Sequence, residues 1–153
     1  MSDATAVKIE EIQLPEGYKP SDDEEYMNPT QRAYFRMLLL EWKQQLLQDA
    51  DKTVHVMGEE KAVFADPTDR ATLETDRNFE LRTRDRERKL VNKIDRTIEV
   101  IKADEYGFCD ACGVEIGLRR LEARPVTDLC IDCKTKEEQM EKTRRNEDDD
   151  DED

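Results

Sequence analysis

Four cysteines arranged as two short pairs constrain the fold of this chain more than any other feature of its sequence. Cys109 and Cys112 form the first Cys-x-x-Cys pair, Cys130 and Cys133 form the second, and seventeen residues separate the pairs. This spacing is typical of a zinc site with four thiolate ligands, in which each pair chelates through one tight turn. We therefore predict that these four cysteines bind one structural Zn²⁺.

The segment around the two pairs has too little apolar surface to fold unaided. Segments of this size rarely form a stable core without a metal or a disulfide. Gly113 directly follows the first pair, where a metal knuckle often needs a positive φ. Four thiolates leave no open position on the metal, so hydrolytic chemistry is not expected. A redox dithiol made of Cys109 and Cys112 is the alternative, although no βαβ pattern of a thioredoxin-like scaffold accompanies it.

Composition favours thin, extended elements over a thick core. Of the 153 residues, 36% are hydrophobic and 42% are charged, and the mean hydropathy is -0.96. No uncharged apolar run approaches the roughly 20 residues that span a membrane, and residues 1–17 lack the features of a signal peptide. We therefore expect a cytoplasmic protein with no membrane association. In that reducing compartment, clustered cysteines are more often metal ligands or redox thiols than structural disulfides.

The net charge of -14 is concentrated at the two ends of the chain. Residues 1–28 carry a net charge of -6 and residues 147–153 carry -7, whereas residues 29–146 carry -1. We predict an acidic, partly disordered N-terminal segment over 1–28 and an acidic, disordered tail over 147–153. Because the middle of the chain has no net basic face, direct DNA binding is not expected.

The residues after position 28 predict a long amphipathic helix. Asn28 is suited to the N-cap, Pro29 to the first helical position, and Gln31 to the residue of a capping box that reaches back. Apolar residues then recur every three or four positions, which places them on one face of a helix from about residue 29 to about residue 61: Phe35, Leu39, Trp42, Leu46, Ala50, Val54 and Met57.

A second long helix is predicted from Pro67 to about residue 105. Its apolar residues also have helical spacing, but residues 82–89 contain no apolar side chain: the helix relies on Leu73, Phe79, Leu90, Ile94, Ile98 and Ile101. Two helices of similar length joined by a short turn should lie antiparallel. We therefore predict a mainly α fold with a long antiparallel two-helix coiled-coil arm over 29–105, a small four-cysteine zinc finger over 106–134 and a C-terminal helix over 135–146.

The turn of the predicted hairpin, residues 64–71, is acidic. Asp66 is suited to the N-cap of the second helix and Asp69 to its first turn, so both carboxylates have an adequate structural explanation. A contact with a partner molecule is compatible with the same positions, and the residues alone leave both roles open. In the basic stretch that follows, Asp85 and Lys89 are expected to form an intrahelical ion pair.

Four stretches resemble the DksA family of bacterial transcription factors. They are EEYMN at 24–28, ADPTDRA at 65–71, ELRTRDRERKL at 80–90 and CGVEIGLRRLEARPVTDLCIDCK at 112–134. The resemblance implies a zinc-finger part, a coiled-coil arm and a C-terminal helix. It also implies a regulator that is not an enzyme and that binds RNA polymerase in its secondary channel without binding DNA. The family's tip motif Asp-x-x-Asp-x-Ala is matched by Asp66, Asp69 and Ala71, and Arg86 resembles the position that contacts the polymerase rim.

The resemblance further implies that guanosine tetraphosphate binds where the protein meets the polymerase. Lys93, Arg120, Arg124 and Lys134 stand at the matching positions, and a cluster of cations suits a polyphosphate. We expect the chain to act as a monomer. Two other functions stay open: a zinc-ribbon adaptor for another protein or RNA, and the thiol-disulfide redox protein considered above.

Overall fold

A computed structural model describes residues 8–59 and 67–150 of the chain. A 3-10 helix at Ile9–Glu11 is followed by four α-helices: α1 (Pro29–Glu59), α2 (Pro67–Lys102), α3 (Leu118–Ala123) and α4 (Ile131–Asp150). Within the described ranges the only β-structure is an isolated antiparallel bridge between Phe108 and Glu115. The fold is therefore mainly α, as predicted. None of the helices in these ranges is both long and apolar enough to span a membrane.

The chain divides into two compact units. The first contains Met1–Arg36 and Val100–Asp153, and the second contains Met37–Glu99. The first unit thus includes the beginning of α1, the end of α2, the cysteines and the two shorter helices. The second unit is the hairpin formed by the remainder of α1 and α2.

The start of α1 follows the sequence prediction with one difference. The Asn28 side chain caps the helix, since its Oδ1 accepts a 2.8 Å hydrogen bond from the backbone N–H of Gln31. The Gln31 side chain reaches back to the N–H of Met27, at 2.8 Å, and not to that of Asn28. The backbone turns sharply here, because Met27 has a φ of 51°. Gln31 is fully buried, and its side chain completes the cap through the hydrogen bond with Met27.

The end of α2 is a Schellman motif with an aspartate in the left-handed position. Asp104 has a φ of 60°, its N–H donates to the Ile101 carbonyl at 3.1 Å, and the N–H of Glu105 donates to the Val100 carbonyl at 3.1 Å. The Arg32 guanidinium donates to the same Ile101 carbonyl at 2.7 Å and pairs with the Asp104 carboxylate at 3.3 Å. One buried arginine of α1 therefore completes the C-terminus of α2.

The hairpin unit has a well-packed layer near the positions where it joins the first unit in sequence. Leu39 and Ile94 are fully buried, and Lys43 pairs with Asp95 at 2.6 Å. Arg32 of α1 contacts Ile101 of α2, whereas Lys43, further along α1, contacts Asp95, earlier along α2. Contacts that advance along one helix and go back along the other are those of antiparallel helices. The predicted antiparallel hairpin is thus confirmed.

The seam of α2 is the face of the helix that carries its buried and half-buried residues. Charged residues continue this seam where apolar ones are missing. Between residues 73 and 87 the half-buried positions are Leu73, Arg77, Glu80, Thr83, Arg84 and Glu87. Apart from Thr83, they alternate in steps of four and three, which is the heptad spacing of a coiled coil. Long Arg and Glu side chains can bury their aliphatic stems while the charged ends stay in water. The heptad spacing of half-buried positions therefore continues through residues 82–89, although none of these residues is apolar.

The structure differs from the sequence predictions in three respects. Helical spacing predicts Phe79 on the apolar face of α2, but its side chain is 70% exposed because the seam passes through its neighbour Glu80. The C-terminal helix begins at Ile131, inside the second cysteine pair, and continues to Asp150, into the acidic segment for which the sequence predicts disorder. The sequence patterns do not predict the short helix α3 or the 3-10 helix.

We predict opposite outcomes for two truncations in α2. Ile94→Ala should lower the free energy of unfolding by about 2–4 kcal/mol, because Ile94 is fully buried and its removal leaves a cavity. Phe79→Ala should change it by about 0.5 kcal/mol or less, because the ring is exposed. Urea unfolding followed by circular dichroism measures both. Equal losses in the two variants would contradict the seam described above.

Candidate metal centre and charged surfaces

The four predicted ligands lie together. The sulfur atoms of Cys109, Cys112, Cys130 and Cys133 are all within 4.8 Å of one another, and those of Cys112 and Cys130 are 3.7 Å apart. In a tetrahedral zinc site with Zn–S bonds of about 2.3 Å, the sulfurs are about 3.8 Å apart. The cluster therefore fits one ion of this kind. It is also the only group of metal-ligating side chains found in the described residues.

Backbone hydrogen bonds shape each cysteine pair into a turn. In the first pair, the N–H of Gly113 donates to the Cys109 carbonyl and the N–H of Cys109 donates to the Val114 carbonyl, both at 2.8 Å. Gly113 has a φ of 77°, as its position after the pair predicts. The second pair lies at the start of α4, where the N–H of Lys134 donates to the Cys130 carbonyl at 3.0 Å.

The electrostatics of the sulfur cluster favour a bound cation. Backbone N–H groups, chiefly that of Cys130, lower the pKa of the Cys109 thiol to about 6. Hydrogen bonds with the other three sulfurs raise the pKa of the Cys133 thiol to about 12. Without a cation, the cluster would thus retain some thiols in protonated form at neutral pH. A divalent ion makes it favourable for all four to be thiolates.

An N-terminal tyrosine contacts the finger within the first unit, a role that sequence reasoning missed. The Tyr26 hydroxyl donates toward the carbonyl oxygens of Gly107, at 2.6 Å, and Ile116. Burial raises the pKa of this hydroxyl, which keeps it protonated. A Cβ at Gly107 would lie 2.8 Å from Met27 Cγ, so glycine is required by this contact as well as by its φ of 96°. The EEYMN motif was the sequence feature that could have indicated these contacts, because its tyrosine and methionine make them.

The predicted tip and rim residues are exposed where the structure describes them. Asp69 lies in the first turn of α2, and Asp69 and Ala71 are both exposed. Asp66 lies outside the described residues, so its predicted capping role stays a prediction. Arg86 is exposed on α2, and the expected ion pair between Asp85 and Lys89 is present at 3.2 Å.

The predicted cationic residues have different surroundings. Arg124 is exposed and close enough to Lys134 that its charge opposes protonation there, although the pKa of Lys134 is raised overall by Glu137, which pairs with it at 2.9 Å. Arg120 has a structural task, because its guanidinium donates to the Leu129 carbonyl at 3.0 Å and to Thr127 Oγ1 at 3.3 Å. Lys93 is half-buried on α2 in the hairpin unit.

A helical hairpin joined in sequence to a four-cysteine cluster defines a C4-type zinc-finger protein with a coiled-coil segment. Residues 31–101 match the family described as "DnaK suppressor protein DksA, N-terminal domain", and residues 104–139 match the "Prokaryotic dksA/traR C4-type zinc finger". Together these matches cover most of the chain. The chain belongs to the DksA family, which confirms the resemblance inferred from its motifs.

Curated relatives and a solved structure agree with this assignment. The chain is 53% identical over 127 residues to the RNA polymerase-binding transcription factor DksA of Escherichia coli K12, covering 83% of this chain and 84% of that protein. It is 53% identical over 125 residues to the Haemophilus influenzae protein of the same name, covering 82% and 86% of the two chains. Its fold is similar to that of the transcription factor DksA2 from Pseudomonas aeruginosa, with a TM-score of 0.69, 37% identity and coverage of 76% and 90%.

We predict that metal retention falls as the pH falls. Metal binding requires thiolates, so protons compete with the metal, and the stability that the metal contributes is lost on acidification. Elemental analysis of protein dialysed at decreasing pH should show about one zinc ion per chain near pH 7.5 and progressive loss below it. Cys112→Ser should lose the metal at a higher pH. Full retention by this variant would contradict the four-ligand site.

Proposed function

We propose that this chain is a transcription regulator that binds RNA polymerase directly. The observation that carries the proposal is the combination of an intact four-cysteine cluster and a long helical hairpin in a chain 53% identical to a factor named for binding that enzyme. The relatives are named as transcription factors, and a four-thiolate site offers no open position for catalysis, so we infer a regulatory and not an enzymatic role.

The hairpin is the part that we infer enters the secondary channel of the polymerase. Within the hairpin, residues 37–59 of α1 and 67–99 of α2 are about 35 Å and 50 Å long at about 1.5 Å per residue, long enough to reach deep into a large enzyme. Asp66, Asp69 and Ala71 would act at the tip, where the exposure of the last two supports contact with the enzyme. Exposed Arg86 would contact the rim of the channel.

We infer that one structural zinc ion occupies the four-cysteine site. When bound, zinc supplies the cation that holds the two cysteine turns together. Each turn is otherwise secured mainly by backbone hydrogen bonds, including one from the Asp110 N–H to the Asp128 carbonyl at 2.8 Å. The ion would thus stabilise the unit that contains the start of α1 and the end of α2.

We infer further that guanosine tetraphosphate binds at the polymerase interface. The proximity of Arg124 to Lys134 supports a phosphate site, although Lys134 would have to exchange Glu137 for a phosphate. Arg120 would contribute from a position fixed by its backbone contacts, and Lys93 would contribute from α2.

Acidic ends and a nearly neutral middle disfavour direct DNA binding. We infer that the protein acts on polymerase in the cytoplasm and that it does so as a monomer.

Direct binding is tested with purified zinc-loaded protein and core RNA polymerase in the absence of DNA. Co-elution of the two proteins is expected. An adaptor for a different protein or RNA would fail to co-elute, and that outcome would reject the proposal. A transcription assay on purified templates then measures the regulatory effect.

At the tip, Asp69→Asn should retain polymerase binding but weaken the effect on transcription severalfold. The carboxylate is exposed, and losing its favourable interaction with the helix N-terminus should cost only about 0.3–1 kcal/mol of stability. Asp76→Asn makes the same change at another exposed position of α2 and serves as the control. If Asp69→Asn has full activity, the residue serves only the helix terminus.

For the alarmone site, Arg124→Ala should weaken the response to guanosine tetraphosphate about tenfold or more while leaving polymerase binding unchanged, because charge-assisted contacts with phosphate are lost. Arg119→Ala removes an exposed arginine from the neighbouring short helix α3 and should have little effect. Titration of the alarmone in the transcription assay gives the comparison. An unchanged response in Arg124→Ala would reject the assignment.

A further inference from the structure

Tyr106 is a buried tyrosine whose hydroxyl the proposed function leaves without a role. The residue is 4% exposed, and its ring packs against that of Phe35 with the ring centres 5.5 Å apart. Burial raises the pKa of the hydroxyl, so it stays protonated. The hydroxyl donates a 2.7 Å hydrogen bond to the Pro125 carbonyl. Tyr106 therefore fixes this carbonyl relative to the core of the first unit.

The contact lies next to Arg124 in the chain. Because the residue before a proline is disfavoured in a helix, α3 ends at Ala123 and Arg124 is extended, with a φ of -144° and a ψ of 81°. Pro125 is buried and has no N–H to donate. Within the described part of the chain, its carbonyl accepts a hydrogen bond from Tyr106 alone. The Tyr106 hydroxyl thus ties the backbone beside Arg124 to the core.

Other contacts hold the remainder of this connection between α3 and α4. The N–H of Arg124 donates to the Arg120 carbonyl at 2.8 Å, and the N–H of Thr127 donates to the Arg124 carbonyl at 3.1 Å. The Arg120 guanidinium donates to the Leu129 carbonyl at 3.0 Å. The side chain of Arg124 is exposed and starts from a backbone position that these hydrogen bonds define.

A defined backbone at Arg124 matters for a phosphate ligand. Charge-assisted hydrogen bonds from a guanidinium depend on its orientation, and ordering a long side chain on binding costs free energy. If the backbone were free to move, binding would have to order the backbone as well as the side chain. Contacts that fix the backbone beforehand reduce this cost.

We propose that Tyr106 is a positioning residue of the alarmone site, where its hydroxyl holds Arg124 in place through the Pro125 carbonyl. Tyr106 itself does not contact the ligand. The role rests on the proposed function of Arg124 as a ligand of guanosine tetraphosphate, and it adds a residue that neither charge nor exposure indicates.

The test replaces two tyrosine hydroxyls of the first unit. Tyr106→Phe removes the hydrogen bond to Pro125 and keeps the ring. Tyr26→Phe is the matched control, because its hydroxyl also donates to backbone carbonyls, those of Gly107 and Ile116, which are not adjacent to Arg124 in the chain. Both variants should unfold at lower urea concentrations than the unmodified protein, because each loses a hydrogen bond of the first unit.

Only Tyr106→Phe should change the response to the alarmone. In the transcription assay, the concentration of guanosine tetraphosphate that gives half of the full effect should rise about threefold to fivefold. The effect at saturating alarmone and co-elution with polymerase should be unchanged. Amide hydrogen exchange at Thr127, whose N–H donates to Arg124, should be faster in Tyr106→Phe than in Tyr26→Phe.

A double variant verifies that Tyr106 acts through Arg124. Adding Tyr106→Phe to Arg124→Ala should cause no further rise in the half-maximal concentration, because the side chain to be positioned is absent. A further rise in the double variant would overturn the proposal, as would equal rises in Tyr106→Phe and Tyr26→Phe.

The remaining outcomes separate this role from the alarmone site itself. If Arg124→Ala weakens the response and Tyr106→Phe does not, the positioning role is wrong and the alarmone site stands. If Arg124→Ala has no effect, the alarmone assignment fails and the positioning role fails with it. Circular dichroism verifies that both single variants are folded. Loss of the fold in Tyr106→Phe would assign the hydroxyl to stability and reject the positioning role.

Discussion

The clustering of four cysteine sulfur atoms within 4.8 Å of one another is the constraint on which the first unit depends. The segment from Cys109 to Cys133 buries few large apolar side chains, chiefly Ile116, Leu118 and Leu121, and gains little from regular secondary structure. Metal binding can contribute about 10 kcal/mol or more to such a unit, which exceeds what these side chains supply by burial. The start of α1 depends on the same cluster indirectly, because Tyr26 and Met27 contact Gly107, two residues before the first ligand.

Local chemistry makes several features of the first unit predictable. The Cys-x-x-Cys spacing, Asn28 as a cap and Gly113 with a positive φ each depend on a few adjacent residues, and all three appear in the structure. Features that depend on distant residues were missed. Nothing near Arg32 in the sequence indicates that it binds the carbonyl of Ile101, and nothing near Gly107 indicates that its missing Cβ makes room for Met27.

The hairpin shows why apolar residues alone are an incomplete guide. Phe79 is apolar and suitably spaced, yet the heptad spacing that links Leu73 to Val91 passes through Arg77, Glu80, Arg84 and Glu87. A pattern search that counts long charged residues as partly apolar would find the seam. The proposed roles of Asp69, Arg86 and Arg124 come from the family resemblance. Exposure and charge alone do not distinguish these residues from those of an ordinary solvated surface.

The contact between Arg32 and the end of α2 has a consequence for how proteins of this type can diversify. It joins residues 69 positions apart, so the two ends of the hairpin segment are held next to each other by the first unit itself. Residues 37–99 are then equivalent to an insertion between two segments of the first unit that are in contact. Adding or deleting seven residues in each helix would preserve the seam and leave the contact between Arg32 and Ile101 intact. Evolution, or a protein engineer, can thus alter the length of this element without redesigning the unit that contains the four cysteines.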